Sequence, residues 1–310
     1  MESVMVEMNQ IIAEYNSIEF ESFMNDEEKW FFDTYGYIIV RNVLSRDDAD
    51  YLVEKFEEWI KLPKDKVPAP MNRSLDNSVV QNMHYIEKKY QDLILDPRIM
   101  KYVSSILLHN PRLMFCSMIR SKKDDKRKKH SNKKFEKKLQ KLTQNGNILL
   151  HRDTNGYNYP YEKFVNPLIG YQVINGIIHS GYVNVSITLV DVPGDHGIGL
   201  IPGSHKSNFN TPKIKSNDPY KEYIQSFELS AGDAIVFVPN LLHTTRKWKM
   251  DYPRYTVFNR YVFGKYIEEG FSNHSFEKYK NNLSKELYEL EQLNLMQEKK
   301  IVKRLKKIYT

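Results

Sequence analysis

Leu149-Leu150-His151-Arg152-Asp153-Thr154 is the stretch on which the reading of this chain turns. An apolar run, Ile148 to Leu150, ends there in a His-x-Asp triplet. At the end of a strand, residues i and i+2 point to the same side. His151 and Asp153 therefore present an imidazole and a carboxylate to one point in space. One more histidine would complete the two-His-one-carboxylate facial triad of non-haem Fe(II) sites. With nine His and 39 Asp or Glu in 310 residues, composition alone yields about one His-x-acid triplet by chance. The triplet gains weight only from what surrounds it.

Downstream of Asn147 the texture changes. Short apolar or alternating runs are separated by Gly, Pro, Asn and Asp turns. Gly181–Val192, Ile198–Pro202, Tyr223–Leu229, Ala234–Val238 and Tyr255–Phe263 read as strands. Strands at this spacing suggest a sandwich or barrel, jelly rolls included. A third ligand belongs at the end of another strand of that barrel. Ala231 to Pro239 reads as turn, strand and stop, and His243 follows at once. His196 in Gly-Asp-His-Gly, His205 in Gly-Ser-His-Lys and His179 before Ser180-Gly181 sit in turn-like sequence, where a surface or capping role is expected. A structural histidine is the competing reading of His243, and Arg254 bears on the choice.

Arg254 lies eleven residues after His243 and opens the last expected strand. A buried arginine is costly unless an anion meets it, and a bidentate carboxylate is its best partner. An oxygenase using 2-oxoglutarate needs such a residue for the distal carboxylate of the cosubstrate, and Thr245 offers a hydroxyl donor to the same group. The alternative is a surface arginine after Tyr252-Pro253. In the strand Gly181–Val192, Val183, Val185, Ile187 and Leu189 alternate with Asn184, Ser186 and Thr188, so the two sets occupy opposite faces. The polar face either lines a cosubstrate pocket, with Ser186 central, or meets solvent.

Upstream, start signals for helices dominate. Residues 1–24 space Met5, Met8, Ile11 and Ile12 as a helix does. Asn25 with Glu28 makes a capping pair before Trp30, Phe31 and Phe32, Gly36 suits the end of that helix, and Tyr37–Val40 reads as a strand. Ser45 caps a second helix with Leu52, Phe56, Trp59 and Ile60 as its buried stripe. Leu62–Ser74 reads as loop, Asp96-Pro97 starts a helix running to Leu108, and Leu113–Met118 suits a strand. Helices first and strands second argue for an α+β chain with an all-β core. After Gly264 the spacing of Leu283, Leu287, Leu290, Ile301, Leu305 and Ile308 suggests amphipathic helices.

The net charge of +7 is local. Arg120 to Lys141 holds twelve Lys or Arg against three Asp or Glu, an excess of nine that leaves the remainder at −2. Such a run is a solvated loop or helix, or a docking patch for an anionic partner. Its single aromatic, Phe135, argues against a nucleic-acid groove, where stacking rings interleave with charge. One cysteine, Cys116, allows no intramolecular disulfide and fits a reducing compartment, the cytoplasm by default. No window approaches the ~18 apolar residues of a membrane span.

Taken together, His151-x-Asp153, Ile201-Pro202-Gly203-Ser204-His205-Lys206, Ala231-Gly232-Asp233-Ala234, His243 and Arg254 resemble the phytanoyl-CoA dioxygenase family. The Ile-Pro-Gly-Ser-His-Lys string is its most specific mark, following an acidic turn matched here by Asp191 to Asp195. Phe31 to Val40 resembles the family's opening helix and strand, and the likeness spans roughly residues 27–265. It implies a double-stranded β-helix (a cupin-like jelly roll) with helices packed outside. It implies iron held by His151, Asp153 and His243, and 2-oxoglutarate held by Arg254. The expected organisation is one oxygenase domain over 1–268, with a helical part to about 110, a Lys-rich insertion at about 120–145 and the β-helix over 146–268. A helical extension follows over 269–310. The expected activity is hydroxylation of an unactivated C–H bond of a small organic substrate, an acyl-CoA or another metabolite. It consumes O₂ and releases succinate and CO₂, with ascorbate as a candidate reductant. Asp153 fills the position that halogenases leave open. Thr154–Tyr171, rich in aromatics, is expected to form part of a substrate lid. Two alternatives stand beside this: a nucleic-acid demethylase of the same iron chemistry, and a catalytically silent barrel that binds. The first lacks the Pro-Gly-Ser-His string, and the intact ligand set argues against the second.

Overall fold

Asn25 begins the first helix by closing a capping box. Its side chain accepts from Glu28 N at 2.8 Å, and the Glu28 carboxylate accepts from Asn25 N at 2.9 Å. That helix, α1 (Asp26–Tyr35), stops at Gly36. The φ of Gly36 is 79°, and a Cβ there would come within 2.8 Å of His205 Cγ. A left-handed turn and a close approach both require glycine. The computed structural model describes residues 23–74, 76–107, 111–123, 149–153, 170–174, 176–207, 214–215, 217–263 and 277–291. The helix expected within 1–22, most of the Lys-rich run, residues 154–169 of the expected lid and the distal C-terminal helix lie outside them.

Strand β1 (Tyr37–Val40) leads to α2 (Arg46–Lys61), capped by Ser45 and burying Leu52, Phe56, Trp59 and Ile60. The expected loop Leu62–Ser74 contains a short strand, β2 (Asn72–Arg73), paired to β3 (Val79–Gln81). Helices α3 (Lys88–Ile94) and α4 (Pro97–Ile106) follow, the latter with Asp96 as its cap and proline in its first turn. Strand β4 (Pro111–Ser121) is longer than the expected Leu113–Met118, because pairing with another long strand extends it at both ends. A hairpin, β5 (Gln172–Ile174) and β6 (Ile177–His179), precedes β7 (Tyr182–Thr188) and β8 (Ile198–Leu200). Then come β9 (Ala234–Phe237), β10 (His243–Thr245), β11 (Arg254–Phe263) and helix α5 (Lys285–Glu291).

The large sheet is antiparallel throughout, in the order β1-β9-β7-β11-β4-β3-β2. A second layer is built on β10 and β8, which pair with each other. Bridges from His151 to His243, Leu200 to Gln225 and Val192 to Leu229 widen it. The segment Tyr223–Leu229 reads as a strand in sequence, yet contributes only these bridges. Its start is instead a 3-10 turn, Pro219–Tyr223, capped by Asp218. Expected strands Gly181–Val192 and Ile198–Pro202 are trimmed to β7 and β8 by the turns that follow them.

Helices cover one face of the large sheet. On that face Val183, Val185, Ile187, Val257 and Tyr261 are fully buried. Each buried aliphatic side chain contributes about 1.5–3 kcal/mol. The Phe56 ring meets Tyr255 at 5.7 Å, and the Tyr261 hydroxyl donates to Ile94 O at 2.8 Å. Helix α5 adds Leu287 and Leu290 to the same core. Its Glu291 accepts from the Tyr85 hydroxyl and lies 2.6 Å from His84 Nε2. The opposite face of β7 carries Asn184, Ser186 and Thr188, and these too are buried. Of the two expectations for that polar face, solvent is therefore excluded, and it looks into the space between the layers.

Candidate metal and cosubstrate site

Backbone pairing brings the first and third candidate ligands together. His151 N donates to His243 O and His243 N to His151 O, both at 3.0 Å. Asp153 N is held by Pro239 O at 2.9 Å. The two imidazoles sit 4.1 Å apart between centroids, and Asp153 Oδ1 lies 3.8 Å from His151 Nε2 and 3.7 Å from His243 Nε2. One ligand atom from each of the three falls within 4.8 Å of the others, the one such group among the described residues. His243 Nδ1 lies 2.8 Å from Leu241 O. A carbonyl only accepts, so this nitrogen carries the proton and Nε2 turns its lone pair to the cluster, as a metal-ligating histidine requires. Phe237 walls the site, its ring edge-on to His243 at 5.2 Å. The donor set suits Fe(II).

Asp153 is largely withdrawn from solvent, which by itself pushes its pKa up. The positive field of Arg260, the adjacent imidazoles of His243 and His151, and a hydrogen bond from Asn184 outweigh burial and hold it below the usual carboxylate range. Arg260 Nη2 donates to Asp153 Oδ2 at 2.8 Å and Asn184 Nδ2 to the same oxygen at 2.7 Å. Neither partner was singled out in sequence as a partner of Asp153. The signal available was the period-two polar face of β7 together with arginines six residues apart on β11.

Arg254 is the first residue of β11 and shares the inner face with Thr256, Phe258 and Arg260. Its Nε is buried without a hydrogen-bond partner among the described residues. Burial lowers its pKa to about 10, with no anion to offset the desolvation. A cation held this way awaits an anionic ligand. Gly197 lies beside it: a Cβ there would sit 3.9 Å from Arg254 Cζ and would strike Val192 Cγ1 at 2.8 Å. Thr245 is exposed, two residues along β10 from His243 and paired with Ile198. Ser186 is buried in register with Phe258, between the levels of Arg260 and Arg254. Arg246 is engaged elsewhere, its Nε on Ser226 Oγ at 2.6 Å and its Nη2 on Ile224 O.

Of the competing histidines, His196 and His205 are buried rather than on the surface. His205 Nε2 lies 3.0 Å from Asp33 O, and the His196 ring is edge-on to Trp248 at 5.4 Å. Both pack the loops, and neither joins the cluster. The Pro-Gly-Ser-His loop has its own work. Ser204 Oγ accepts from Leu242 N at 2.8 Å and Ser204 O from Arg152 Nη2 at 3.0 Å. One serine thus ties the residue before His243 to the residue between His151 and Asp153.

The family model for phytanoyl-CoA dioxygenase matches residues 32–254. The chain belongs to the phytanoyl-CoA dioxygenase family. Membership makes it an Fe(II)- and 2-oxoglutarate-dependent enzyme, and the cluster supplies the ligand set such an enzyme needs. Among solved structures, apo HygX from Streptomyces hygroscopicus superposes with a TM-score of 0.56 at 17% identity, over 77% of this chain and 87% of that one. Apo EctD from S. alaskensis gives 0.55 at 14%, over 79% of each. HygX has been crystallised with nickel, 2-oxoglutarate and hygromycin B, and EctD with 2-oxoglutarate and 5-hydroxyectoine. At these identities the likeness establishes the fold. Compared by sequence with characterised proteins, the chain has no significant match.

Proposed function

We propose that this family member hydroxylates an unactivated C–H bond of a small organic substrate. One atom of O₂ goes to the substrate carbon and the other to succinate, as 2-oxoglutarate loses CO₂. The observation that carries this reading is a His-Asp-His cluster in a chain that also holds Arg254 with its Nε buried and without a hydrogen-bond partner among the described residues. His151, Asp153 and His243 hold the iron. Arg254 binds the distal carboxylate of 2-oxoglutarate through its planar fork, with the Thr245 hydroxyl as a second donor and Ser186 lining the space between. Bound iron supplies the activation of O₂, which no side chain can provide. The chain's own part is to fix the ligand geometry and orient the cosubstrate. HygX and EctD were crystallised with small polar molecules, which favours a metabolite substrate for this chain as well. No described helix is long and apolar enough to cross a membrane.

The test has two stages. Anaerobic Fe(II) titration by calorimetry should show binding in the wild type and its loss in His243→Ala. Succinate release should then be screened with Fe(II), ascorbate and candidate acyl-CoA, amino-acid and lipid substrates. Wild-type iron affinity in His243→Ala would sink the ligand assignment.

A further inference from the structure

If His151, Asp153 and His243 hold iron, the keto acid and O₂ would have to share the positions that these three ligands leave. Room for both would require that the ligating carboxylate bind through one oxygen. A carboxylate free to rotate can chelate a metal through both. What holds Asp153 to one oxygen is therefore a separate structural question from which residues bind.

Two side chains answer it. Arg260 Nη2 and Asn184 Nδ2 both donate to Asp153 Oδ2, at 2.8 and 2.7 Å. Arg260 Nε donates to Asn184 Oδ1 at 3.0 Å, closing a ring of hydrogen bonds. The ring also fixes the orientation of the Asn184 amide, because only one orientation satisfies both of its contacts. Oδ2 is thus occupied by two donors while Oδ1 faces both histidines. The backbone is built for this arrangement. Arg260 and Asn184 stand directly opposite each other in the β11–β7 pair. Immediately after Arg260 the β11–β4 register slips at a bulge, a device that re-aims side chains beside active sites. The Arg260 guanidinium also lies over the Tyr182 ring at 4.7 Å from its centroid, which sets its plane.

We infer that Arg260 and Asn184 are positioning residues that restrict Asp153 to binding iron through Oδ1, keeping a coordination position open beside 2-oxoglutarate. The inference rests on the iron reading proposed above. Arg260→Lys keeps the charge but cannot span Asp153 and Asn184 together. Asn184→Ala removes one donor to Oδ2 and leaves the ion pair. With the second oxygen released, the carboxylate would be free to compete with the keto acid for the metal.

The experiment titrates 2-oxoglutarate into the anaerobic Fe(II)-loaded full chain and follows the iron-to-keto-acid charge-transfer absorption, with Fe(II) affinity measured separately by calorimetry. The expected result in both variants is Fe(II) affinity held or tightened and 2-oxoglutarate affinity reduced by about tenfold, the worth of one charge-assisted hydrogen bond. The charge-transfer band should also shift in position. A merely structural ion pair would instead weaken iron binding and leave the band where it is, and that result overturns the inference. So does a wild-type band unchanged in both variants. A wild-type protein with no band at all overturns the iron reading beneath it, which separates the two failures.

Discussion

Replacing Arg254 with lysine keeps a cation at the start of β11 but removes the fork that pairs two N–H groups with one carboxylate. The structure sets the size of the effect. Arg254 Nε is buried with no hydrogen-bond partner among the described residues, so at least this donor is left for a ligand. A charge-assisted hydrogen bond of this kind is worth about 1.5–3 kcal/mol, and about 1.4 kcal/mol is tenfold in affinity. Arg254→Lys should therefore raise the apparent constant for 2-oxoglutarate by about ten- to a hundredfold. Iron affinity should not change, because Arg254 is not one of the three candidate ligands. Pyruvate has no distal carboxylate, so any weak turnover it supports should respond little. The assay is succinate or CO₂ release against cosubstrate concentration in both proteins. Equal constants would refute the reasoning outright. Arg246 and Arg260, the other cations nearby, are already committed to Ser226 and Ile224 and to Asp153. An unchanged constant would then place the cosubstrate anchor off β11.

Asp153→Ala and His243→Ala should both abolish iron binding, yet only the first should weaken the apo fold. It removes the carboxylate that accepts from Arg260 Nη2 at 2.8 Å, a charge-assisted bond worth about 1.5–3 kcal/mol; equal melting of the two apo variants would contradict this. Gly232→Ala should cost more than the about 1–3 kcal/mol of a strained backbone position. Gly232 has φ 93°, and a Cβ there would land on the Leu44 carbonyl, 3.0 Å from its carbon; a loss under about 1 kcal/mol in urea unfolding would refute it. Burial pushes the pKa of His205 down to about 4, whereas an unfolded histidine titrates near about 6.5. The unfolded chain binds the proton first as pH falls, so the stabilising effect of neutral His205 is complete above about pH 6.5 and lost toward pH 4, up to about 3 kcal/mol. Denaturation across that range should be less pH-dependent in His205→Asn than in the wild type, and identical slopes would dismiss the role.

Local chemistry was legible in the sequence wherever a few neighbouring residues decide the outcome. The Asn25–Glu28 box, the Ser45 cap and the Asp96-Pro97 start each close within one helical turn, so their residue types suffice. The alternation of Val183, Val185 and Ile187 with Asn184, Ser186 and Thr188 likewise marked two faces from period alone. The His-x-Asp spacing marked a ligand pair before any partner was placed. Which histidine completes it was not a local matter. His243 meets His151 only because their backbones exchange hydrogen bonds across two segments about ninety residues apart in sequence, and His205, inside the most specific motif, serves packing instead. Tyr223–Leu229 has strand-like composition but finds only bridging partners, since strands are stabilised by neighbours rather than by their own residues. The polar face of β7 acquired its meaning in the same way. Asn184 and Arg260 become partners of Asp153 only when β7 and β11 pair in one register, with a bulge just beyond Arg260.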